Sequence, residues 1–282
     1  MFNFIFLNDK IVKETEGGLS TLDRGFLYGD GLFETIRAYN QEPFRLQDHV
    51  LRLAHSAHRF DIPFRYTAQE IRQILEQLLV RNNLKDGYIR MTLSRGTGAH
   101  GFIPDAVCTP TFVIHARTLN GYPASFYETG VSLSTSNIKR STTCPLSRHK
   151  TLNYLTNYLQ KKEAIRRGAH DVLILNTDGY VAECAVSNIF IVENGVVITP
   201  SLLANILPGV TRKIVMELCK EKGIHISEEL FSLERVLRAD EIFLTNSLME
   251  IMPVSHIDGK PIGRRVPGVI TRTLHEHYRE LT

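Results

Sequence analysis

The sequence predicts a mixed α and β fold that is divided into two domains. Three observations support this prediction: a length of 282 residues, short apolar runs that alternate with helical periodicity, and a break in both patterns at residues 119–123. A domain commonly takes roughly 100–200 residues, so the length accommodates two. We therefore predict a small N-terminal domain over residues 1–119, a linker over 120–124 and a larger domain over 125–282.

Strands and two helices are predicted for the N-terminal domain. An apolar run followed at once by polar residues favours a strand at its start. Apolar residues at helical spacing predict both helices, and the second follows a capping box formed by Thr67 and Glu70. The predicted elements are strands at residues 1–7, 88–93 and 110–115, and helices at about 47–60 and from 67 onward.

The C-terminal domain carries clearer turn signals. Asn194-Gly195 and Asp258-Gly259 are typical of hairpins, and Pro208 with Gly209 is typical of a helix start. Apolar runs between these signals predict the strands. The predicted elements are strands near 131 and at 171–175, 180–185, 188–192 and 196–199, and helices at about 152–167 and from just after Gly209 to near Gly223.

Composition and charge exclude several classes of protein. The chain is 43% hydrophobic and 22% charged, which is typical of a folded protein. A net charge of +3 with dispersed Lys and Arg does not indicate a nucleic-acid-binding face, and no apolar run approaches the ~18–20 residues that cross a membrane. Four distant cysteines without a C-x-x-C pair favour reduced thiols. We therefore expect a cytoplasmic protein that binds neither nucleic acid nor membrane.

One glycine-rich segment matches the dinucleotide-binding pattern G-x-G-x-x-G at residues 96–101. That interpretation requires a helix directly after the glycines, whose first amides bind the pyrophosphate. Phe102, Ile103 and Pro104 follow instead, and proline there opposes a helix. We interpret the segment as a loop near a substrate pocket, with a surface turn as the alternative; a dehydrogenase remains the less favoured hypothesis.

Three segments place reactive residues where packing does not require them. They are residues 23–37, 147–154 and 179–190. The second carries Lys150 at a strand-to-helix junction, and the third places Glu183 inside an otherwise apolar strand. A buried carboxylate is costly unless it meets a cationic or hydrogen-bonding partner, so Glu183 indicates a functional site.

Together these segments resemble the class IV aminotransferases, the fold-type IV enzymes that depend on pyridoxal 5'-phosphate (PLP). The group contains branched-chain aminotransferases, D-amino-acid aminotransferases and aminodeoxychorismate lyases, and the resemblance covers essentially the whole chain. It implies a two-domain α/β architecture with a small N-terminal domain and a larger domain that has a β-barrel-like core. It also implies PLP in a cleft between the domains, and a homodimer.

The resemblance also implies residue roles toward PLP. Lys150 would form the internal aldimine and carry protons, Glu183 would keep the ring nitrogen protonated, and Tyr154 would bind the phenolic oxygen. The phosphate would be held by residues that match the family's phosphate-binding positions: Arg52, Val210, Thr211 and Ser247. We predict no metal site, because the spacing of His275-Glu276-His277 is not that of ligands.

Substrate recognition is where the resemblance divides. The residues that match branched-chain enzymes are Phe33, Arg37, Tyr88 and Arg90, whereas the loop with Arg95 and His100 is closer to the lyases. Arg90, Arg95 and His100 are the candidate ligands of the substrate carboxylate. We predict an aminotransferase that moves an amino group between an amino acid and a 2-oxo acid. An aminodeoxychorismate lyase, which releases pyruvate and 4-aminobenzoate, is the alternative; a catalytically inactive binding module is less favoured, because Lys150 and Glu183 are intact.

Overall fold

The computed structural model describes residues 3–98, 101–103 and 108–282. Its backbone contacts divide the chain into two units. The first unit comprises Met1–Asn120 and His149–Asn153, and the second comprises Gly121–Arg148 and Tyr154–Thr282. Both units contain helices and strands, so the predicted mixed α and β class is confirmed. The predicted boundaries at residues 120–124 stay a prediction.

An antiparallel sheet forms the centre of the first unit. Its described strands are β1 (Phe4–Leu7), β2 (Lys10–Lys13), β3 (Gly31–Tyr39), β4 (Glu42–Pro43), β5 (Gly87–Thr97) and β6 (Thr109–Arg117). They lie in the order β2-β1-β6-β5-β3-β4, which places the two long strands β5 and β3 side by side.

The helices α2 (Leu46–Arg59) and α3 (Ala68–Arg81) cover one face of this sheet. The short helix α1 (Arg24–Tyr28) lies against Ser94 of β5. The capping box predicted for α3 is confirmed: Glu70 N donates to Thr67 Oγ1, and Thr67 N donates to Glu70 Oε2 at 2.7 Å. Buried residues of α2 and α3 pack against β3 and β5 in one apolar core that includes Ile36, Leu75 and Met91.

A short extended segment, His149–Asn153, completes the edge of β3. Phe33 N donates to Lys150 O at 2.8 Å, and Leu152 N donates to Gly31 O at 2.9 Å. Sequence reasoning assigned these residues to the C-terminal domain and placed Leu152 and Asn153 at the start of a helix. The difference arises because the open edge of β3 offers unpaired backbone groups to this segment, so the following helix begins only at Leu155.

The second unit contains a nine-stranded sheet. Its strands are β7 (Val131–Thr135), β8 (Asp171–Leu175), β9 (Val181–Cys184), β10 (Asn188–Glu193), β11 (Val196–Pro200), β12 (Ile226–Glu229), β13 (Glu241–Asn246), β14 (Glu250–Ile257) and β15 (Lys260–Pro261). The order is β12-β11-β10-β13-β14-β7-β8-β9, with β15 paired to β14. Because β9 ends this path yet also lies against β10, the sheet curls back on itself. This curled sheet confirms the predicted barrel-like core.

Helices surround the curled sheet. They are α4 (Ala124–Thr129), α5 (Leu155–Arg166), α6 (Val210–Glu221), α7 (Leu233–Val236) and α8 (Val269–Glu280). Three single 3-10 turns complete the secondary structure of the described chain, at Glu14–Glu16, Pro145–Arg148 and Leu202–Ala204. Within the described residues, no helix has the length and apolar character that crossing a membrane requires.

Candidate active site

Four predicted substrate residues lie on one face of the first unit's sheet. In the β3–β5 register, Arg37 pairs with Tyr88 and Phe33 with Thr92, while Arg90 pairs with the residue between them on β3. Directly paired residues share a face and alternate residues of a strand share it too, so Phe33, Arg37, Tyr88 and Arg90 point to the same side. The opposite side faces the apolar core beneath α2 and α3.

Two cations approach the ring of Phe33. Lys150 Nζ lies 4.3 Å from the ring centroid, and the guanidinium carbon of Arg90 lies 3.9 Å from it. The backbone bond between Phe33 and Lys150 fixes the origin of the lysine side chain. The structure therefore brings together the predicted catalytic lysine, one predicted carboxylate ligand and the aromatic residue between them.

A buried carboxylate holds Arg52 on the helix-facing side of β3. Glu34 is 1% exposed; its Oε2 accepts from Arg52 Nη2 at 2.7 Å and its Oε1 from Arg52 Nε at 2.8 Å. His49, one turn before Arg52 on α2, places Nδ1 2.7 Å from Glu34 Oε2. This geometry fixes the direction of the guanidinium group.

The charges of this cluster follow from its burial. Burial alone would raise the pKa of Glu34, but the Arg52 charge and hydrogen bonds from Arg52 and His49 lower it to about 2. Burial lowers the pKa of His49 against the opposing effect of Glu34, and the Arg52 and Lys150 charges act with burial. His49 is therefore neutral near pH 7 and donates its Nδ1 hydrogen to Glu34.

In the second unit, Glu183 lies on β9 with buried partners of its own. Its Oε1 forms an ion pair with Arg140. Its Oε2 accepts from Asn188 Nδ2 at 3.0 Å and from Leu207 N at 3.1 Å. The resemblance implied the cofactor's ring nitrogen as the partner of this charge, and the fold itself also supplies a cation and two donors.

The remaining predicted cofactor residues lie at turns and helix starts of the second unit. Gly209 is the N-cap of α6 and provides no side-chain cap, so Val210 and Thr211 begin the helix with backbone N–H groups that no capping side chain satisfies. Ser247 lies in the turn between β13 and β14, and Tyr154 is the residue before α5. The helices and strands beside these residues fix the position of each group.

Arg95 is engaged elsewhere in the first unit. Its Nε and Nη2 donate to the carboxylate of Asp30 at 2.8 and 3.1 Å, and its Nη1 and Nη2 donate to the carbonyls of Asp61 and Phe60, each at 2.9 Å. Burial raises the pKa of Asp30, but bonds from Arg95 and Arg24 outweigh it and lower the pKa. Four of the five N–H groups of Arg95 are thus already used.

The glycine-rich loop is only partly described, and His100 lies outside the described residues. Gly96 has φ +77°, and a Cβ there would lie 1.7 Å from the carbonyl oxygen of Thr109. This glycine lies inside β5, where the pairing with β6 shifts register between Ser94 and Thr97, so the close approach of β6 rather than a bound phosphate accounts for it.

A family model described as amino-transferase class IV matches residues 31–257. The match covers most of the chain and includes Lys150 and Glu183. The chain belongs to the class IV aminotransferase family. The family and enzyme class predicted from the sequence are therefore confirmed.

Relatives of this class IV chain carry three different names. A Methanocaldococcus jannaschii protein provisionally named a branched-chain-amino-acid aminotransferase is 38% identical over 278 residues, 98% of this chain and 96% of that protein. The aminodeoxychorismate lyase of Bacillus subtilis is 34% identical, covering 98% and 94% of the two chains. A D-alanine aminotransferase of Listeria monocytogenes is 31% identical, covering 98% and 95%.

The solved structures agree with the fold and cofactor. A branched-chain amino acid aminotransferase of T.th., solved with pyridoxamine 5'-phosphate, superposes with a TM-score of 0.92 at 30% identity, covering 99% of this chain and 94% of that one. PLP is the cofactor of class IV aminotransferases, so the predicted cofactor and fold-type IV architecture are confirmed.

Each unit of this class IV chain contains groups of the kinds that PLP needs. A phosphate dianion requires cationic and backbone donors; Arg52 in the first unit and the uncapped start of α6 in the second are groups of these kinds. The ring nitrogen requires a carboxylate, and Glu183 is a buried one, 6% exposed beside Arg140. The aldehyde carbon requires an amine, and the side chain of Lys150 is one.

Sequence reasoning missed four residues that hold the predicted site residues. These are Glu34, His49, Arg140 and Asn188. Glu34 and His49 had a visible signal: a glutamate amid apolar residues in the unusual segment 23–37, and a histidine three residues before Arg52 on one helix face. Arg140 and Asn188 are polar residues beside loops and carry no such signal.

The Glu34 cluster predicts an acid-dependent stability. Its folded pKa of about 2 lies below the ordinary 4.5, so the ionised carboxylate stabilises the fold above pH 4.5, and this stabilisation is lost as the pH falls toward 2. We expect Glu34→Gln to lower the free energy of unfolding by about 3 kcal/mol at pH 7 and by progressively less between pH 4.5 and 2. Urea denaturation at a series of pH values measures the loss of unfolding free energy at pH 7 and its decrease toward pH 2.

The matched control is Glu163→Gln, which removes a glutamate from an exposed pair with Arg167. We expect it to change the free energy of unfolding by less than about 0.5 kcal/mol at every pH. A loss from Glu34→Gln that stays constant from pH 7 to 2 would contradict the assigned ionisation.

Proposed function

We propose that this class IV enzyme is an aminotransferase that uses Lys150 to move an amino group between an amino acid and a 2-oxo acid. The observation that carries the proposal is the cluster on the ring of Phe33, where Lys150 Nζ and the Arg90 guanidinium lie within 4.3 Å of the same centroid. A cation beside the reactive amine suits a substrate whose carboxylate is bonded to the reacting Cα. Arg90 then binds the carboxylate while Lys150 reaches the Cα.

We assign phosphate binding to one set of residues in the first unit and to another set in the second unit. In the first unit, Arg52 is held by Glu34 and offers its charge to the phosphate. In the second unit, the amides of Val210 and Thr211 and the hydroxyl of Ser247 provide hydrogen-bond donors. All of these groups favour a compact dianion such as a phosphate group as their ligand.

Bound PLP supplies an electron sink for negative charge at the substrate Cα. Glu183 would hold a proton on the ring nitrogen, and its ion pair with Arg140 fixes the position of the carboxylate. With PLP bound, Tyr154 would donate to its phenolic oxygen. Lys150 Nζ would be the group that takes the proton from the substrate Cα and returns it at the cofactor C4′, the transfer that distinguishes amino transfer from elimination.

Substrate selection is assigned to the sheet face that carries Phe33. Arg37 and Arg90 bind carboxylate oxygens, and Phe33 and Tyr88 contact the substrate side chain. Arg95 is not included among these ligands, because Asp30 and two backbone carbonyls already use four of its N–H groups.

A lyase remains the second candidate function. The specific observation in its favour is 34% identity to the Bacillus subtilis aminodeoxychorismate lyase over nearly the whole chain. In that reaction the substrate ring becomes aromatic and pyruvate leaves, so no second amino acceptor is needed.

The apolar stripe on α5 supports a homodimer. Leu155, Tyr158, Leu159 and Ile165 recur at helical spacing, and each is about half exposed or more. Leu155 is 70% exposed. The four residues form a contiguous apolar surface, which indicates an interaction site, whereas scattered single apolar residues do not. We assign this stripe, with Val186 beside it, as the interface with a second copy of the chain.

Substitution of the lysine tests the catalytic assignment. We expect Lys150→Ala to abolish turnover while retaining some PLP, because the phosphate ligands remain. Borohydride reduction should attach the cofactor to the Lys150 peptide of the wild type, detected by mass spectrometry, and leave the variant unlabelled. Lys220→Ala, which alters an exposed lysine of α6, is the control and should behave as the wild type. Turnover by Lys150→Ala would contradict the assignment.

A half-reaction screen separates the two candidate functions. The PLP enzyme is mixed with D-alanine, D-glutamate, L-leucine or L-glutamate, and the cofactor absorbance is followed without an acceptor. We expect at least one amino acid to discharge the absorbance, and a 2-oxo acid to restore it. Lys150→Ala protein controls for nonenzymatic exchange. Silence toward all four, with pyruvate released from aminodeoxychorismate, would establish the lyase instead.

A substitution that introduces a charge into the apolar stripe on α5 tests the dimer assignment. We expect the wild type to sediment as a dimer and Leu155→Glu to sediment as a monomer, because a buried unpaired carboxylate opposes association. Val80→Glu, which alters an equally exposed apolar residue of α3, should remain dimeric. A dimeric Leu155→Glu or a monomeric wild type in analytical ultracentrifugation would contradict the interface.

A further inference from the structure

The side-chain amide of Asn188 connects two segments that have different proposed roles. Asn188, at the start of β10, is 4% exposed. Its Nδ2 donates to Glu183 Oε2 at 3.0 Å and to the carbonyl of Leu207 at 2.9 Å. An amide nitrogen has two hydrogens, so both are committed to these acceptors.

Leu207 closes a small ring of hydrogen bonds. Its own N–H donates to Glu183 Oε2 at 3.1 Å, so its peptide groups meet both Glu183 and Asn188. Leu207 lies three residues before Val210, the first residue of α6. The position of the carboxylate and the position of the helix start are therefore determined by the same bonds.

Gly209 is required by the close approach of Asn188. Its φ is −67°, which any residue can adopt, so conformational freedom does not explain the glycine. A Cβ at this position would instead lie 2.0 Å from Asn188 Oδ1. The N-cap of α6 thus packs directly on the amide that holds Glu183.

The backbone of Asn188 extends the same arrangement to a third segment. Asn188 pairs with Thr245 near the end of β13, two residues before Ser247. Asn246 Nδ2 also donates to the carbonyl of Val186 at 3.3 Å. The turn that carries Ser247 is therefore anchored to the strand start that carries Asn188.

We propose that Asn188 is a positioning residue that sets the carboxylate of Glu183 and the phosphate-binding start of α6 as one rigid piece. The inference rests on the proposed function, since it concerns how the chain presents groups to the ring nitrogen and phosphate of PLP. Asn188 acts through Glu183 and residues 207–209, not by touching the cofactor.

Loss of the amide has two separate consequences. Glu183 loses one of its donors and can rotate away from the ring nitrogen, which lowers kcat even when cofactor saturates the enzyme. Residues 207–209 lose their anchor, so the amides of α6 no longer converge and PLP affinity falls. The KM for the amino donor depends on the sheet face of the first unit and stays within about twofold.

The test compares Asn188→Ala with Asn82→Ala. Asn82 is a matched control because its side chain likewise bonds the backbone of a distant segment, at Phe4, within the first unit. PLP affinity is measured by titrating apoprotein, and kcat at saturating PLP with the best donor from the screen. We expect Asn188→Ala to lose about 10-fold to 100-fold in affinity and a similar factor in kcat, and Asn82→Ala to lose neither.

A second variant reaches the same contact from the other side. Gly209→Ala pushes a methyl group against Asn188 Oδ1, so both losses should recur, whereas Gly18→Ala has open space and should show neither. In the Asn188→Ala background the obstruction is gone, so Gly209→Ala should add little. If Asn188→Ala does not fold, the comparison of Gly209→Ala with Gly18→Ala carries the test alone.

The outcomes separate this inference from the function beneath it. A wild type that neither binds PLP nor turns over any donor overturns the proposed function. A normal wild type with Asn188→Ala equal to Asn82→Ala overturns only the role of Asn188. Loss of affinity without loss of kcat, loss of kcat without loss of affinity, or additive effects of Asn188→Ala and Gly209→Ala also overturn it.

Discussion

Burying a carboxylate in a strand is the constraint that shapes both units of this chain. Glu34 on β3 and Glu183 on β9 are each nearly inaccessible to solvent. An isolated charge in such a place costs several kcal/mol, so each is matched by an arginine, Arg52 or Arg140, and by further hydrogen-bond donors. In the proposed function the two clusters would act oppositely: the first would present the cation of Arg52, and the second the anion of Glu183.

Three of these four charges lie on regular elements: Glu34 on β3, Arg52 on α2 and Glu183 on β9. A strand residue whose neighbours are paired has little freedom, so its side chain is directed by the sheet register. The face that holds Phe33 and Arg90 and the face that holds Glu34 alternate along the same strand. One strand can therefore separate groups suited to a substrate from groups suited to a phosphate without any long insertion.

Local signals accounted for most of the predicted fold. The capping box at Thr67 and the hairpin at Asn194-Gly195 depend on residues close in sequence, which is why their elements were predictable. The pairing of Lys150 with Phe33 joins distant segments, and no local pattern contains it. The sequence showed that Glu183 is an unusual residue for an apolar strand, but it did not indicate that Arg140 is its partner. Arg95 shows the converse: a motif suggested a ligand, whereas tertiary contacts commit its donors.

The course of the chain limits how this protein can be rearranged. His149–Asn153 belongs to the first unit, although the residues on both sides of it belong to the second. A gene cut near residue 120 would leave the N-terminal fragment without the segment that completes the edge of β3. Its two units are consequently not exchangeable modules, and recombination that swaps one of them must bring a compatible lysine-bearing segment from the other.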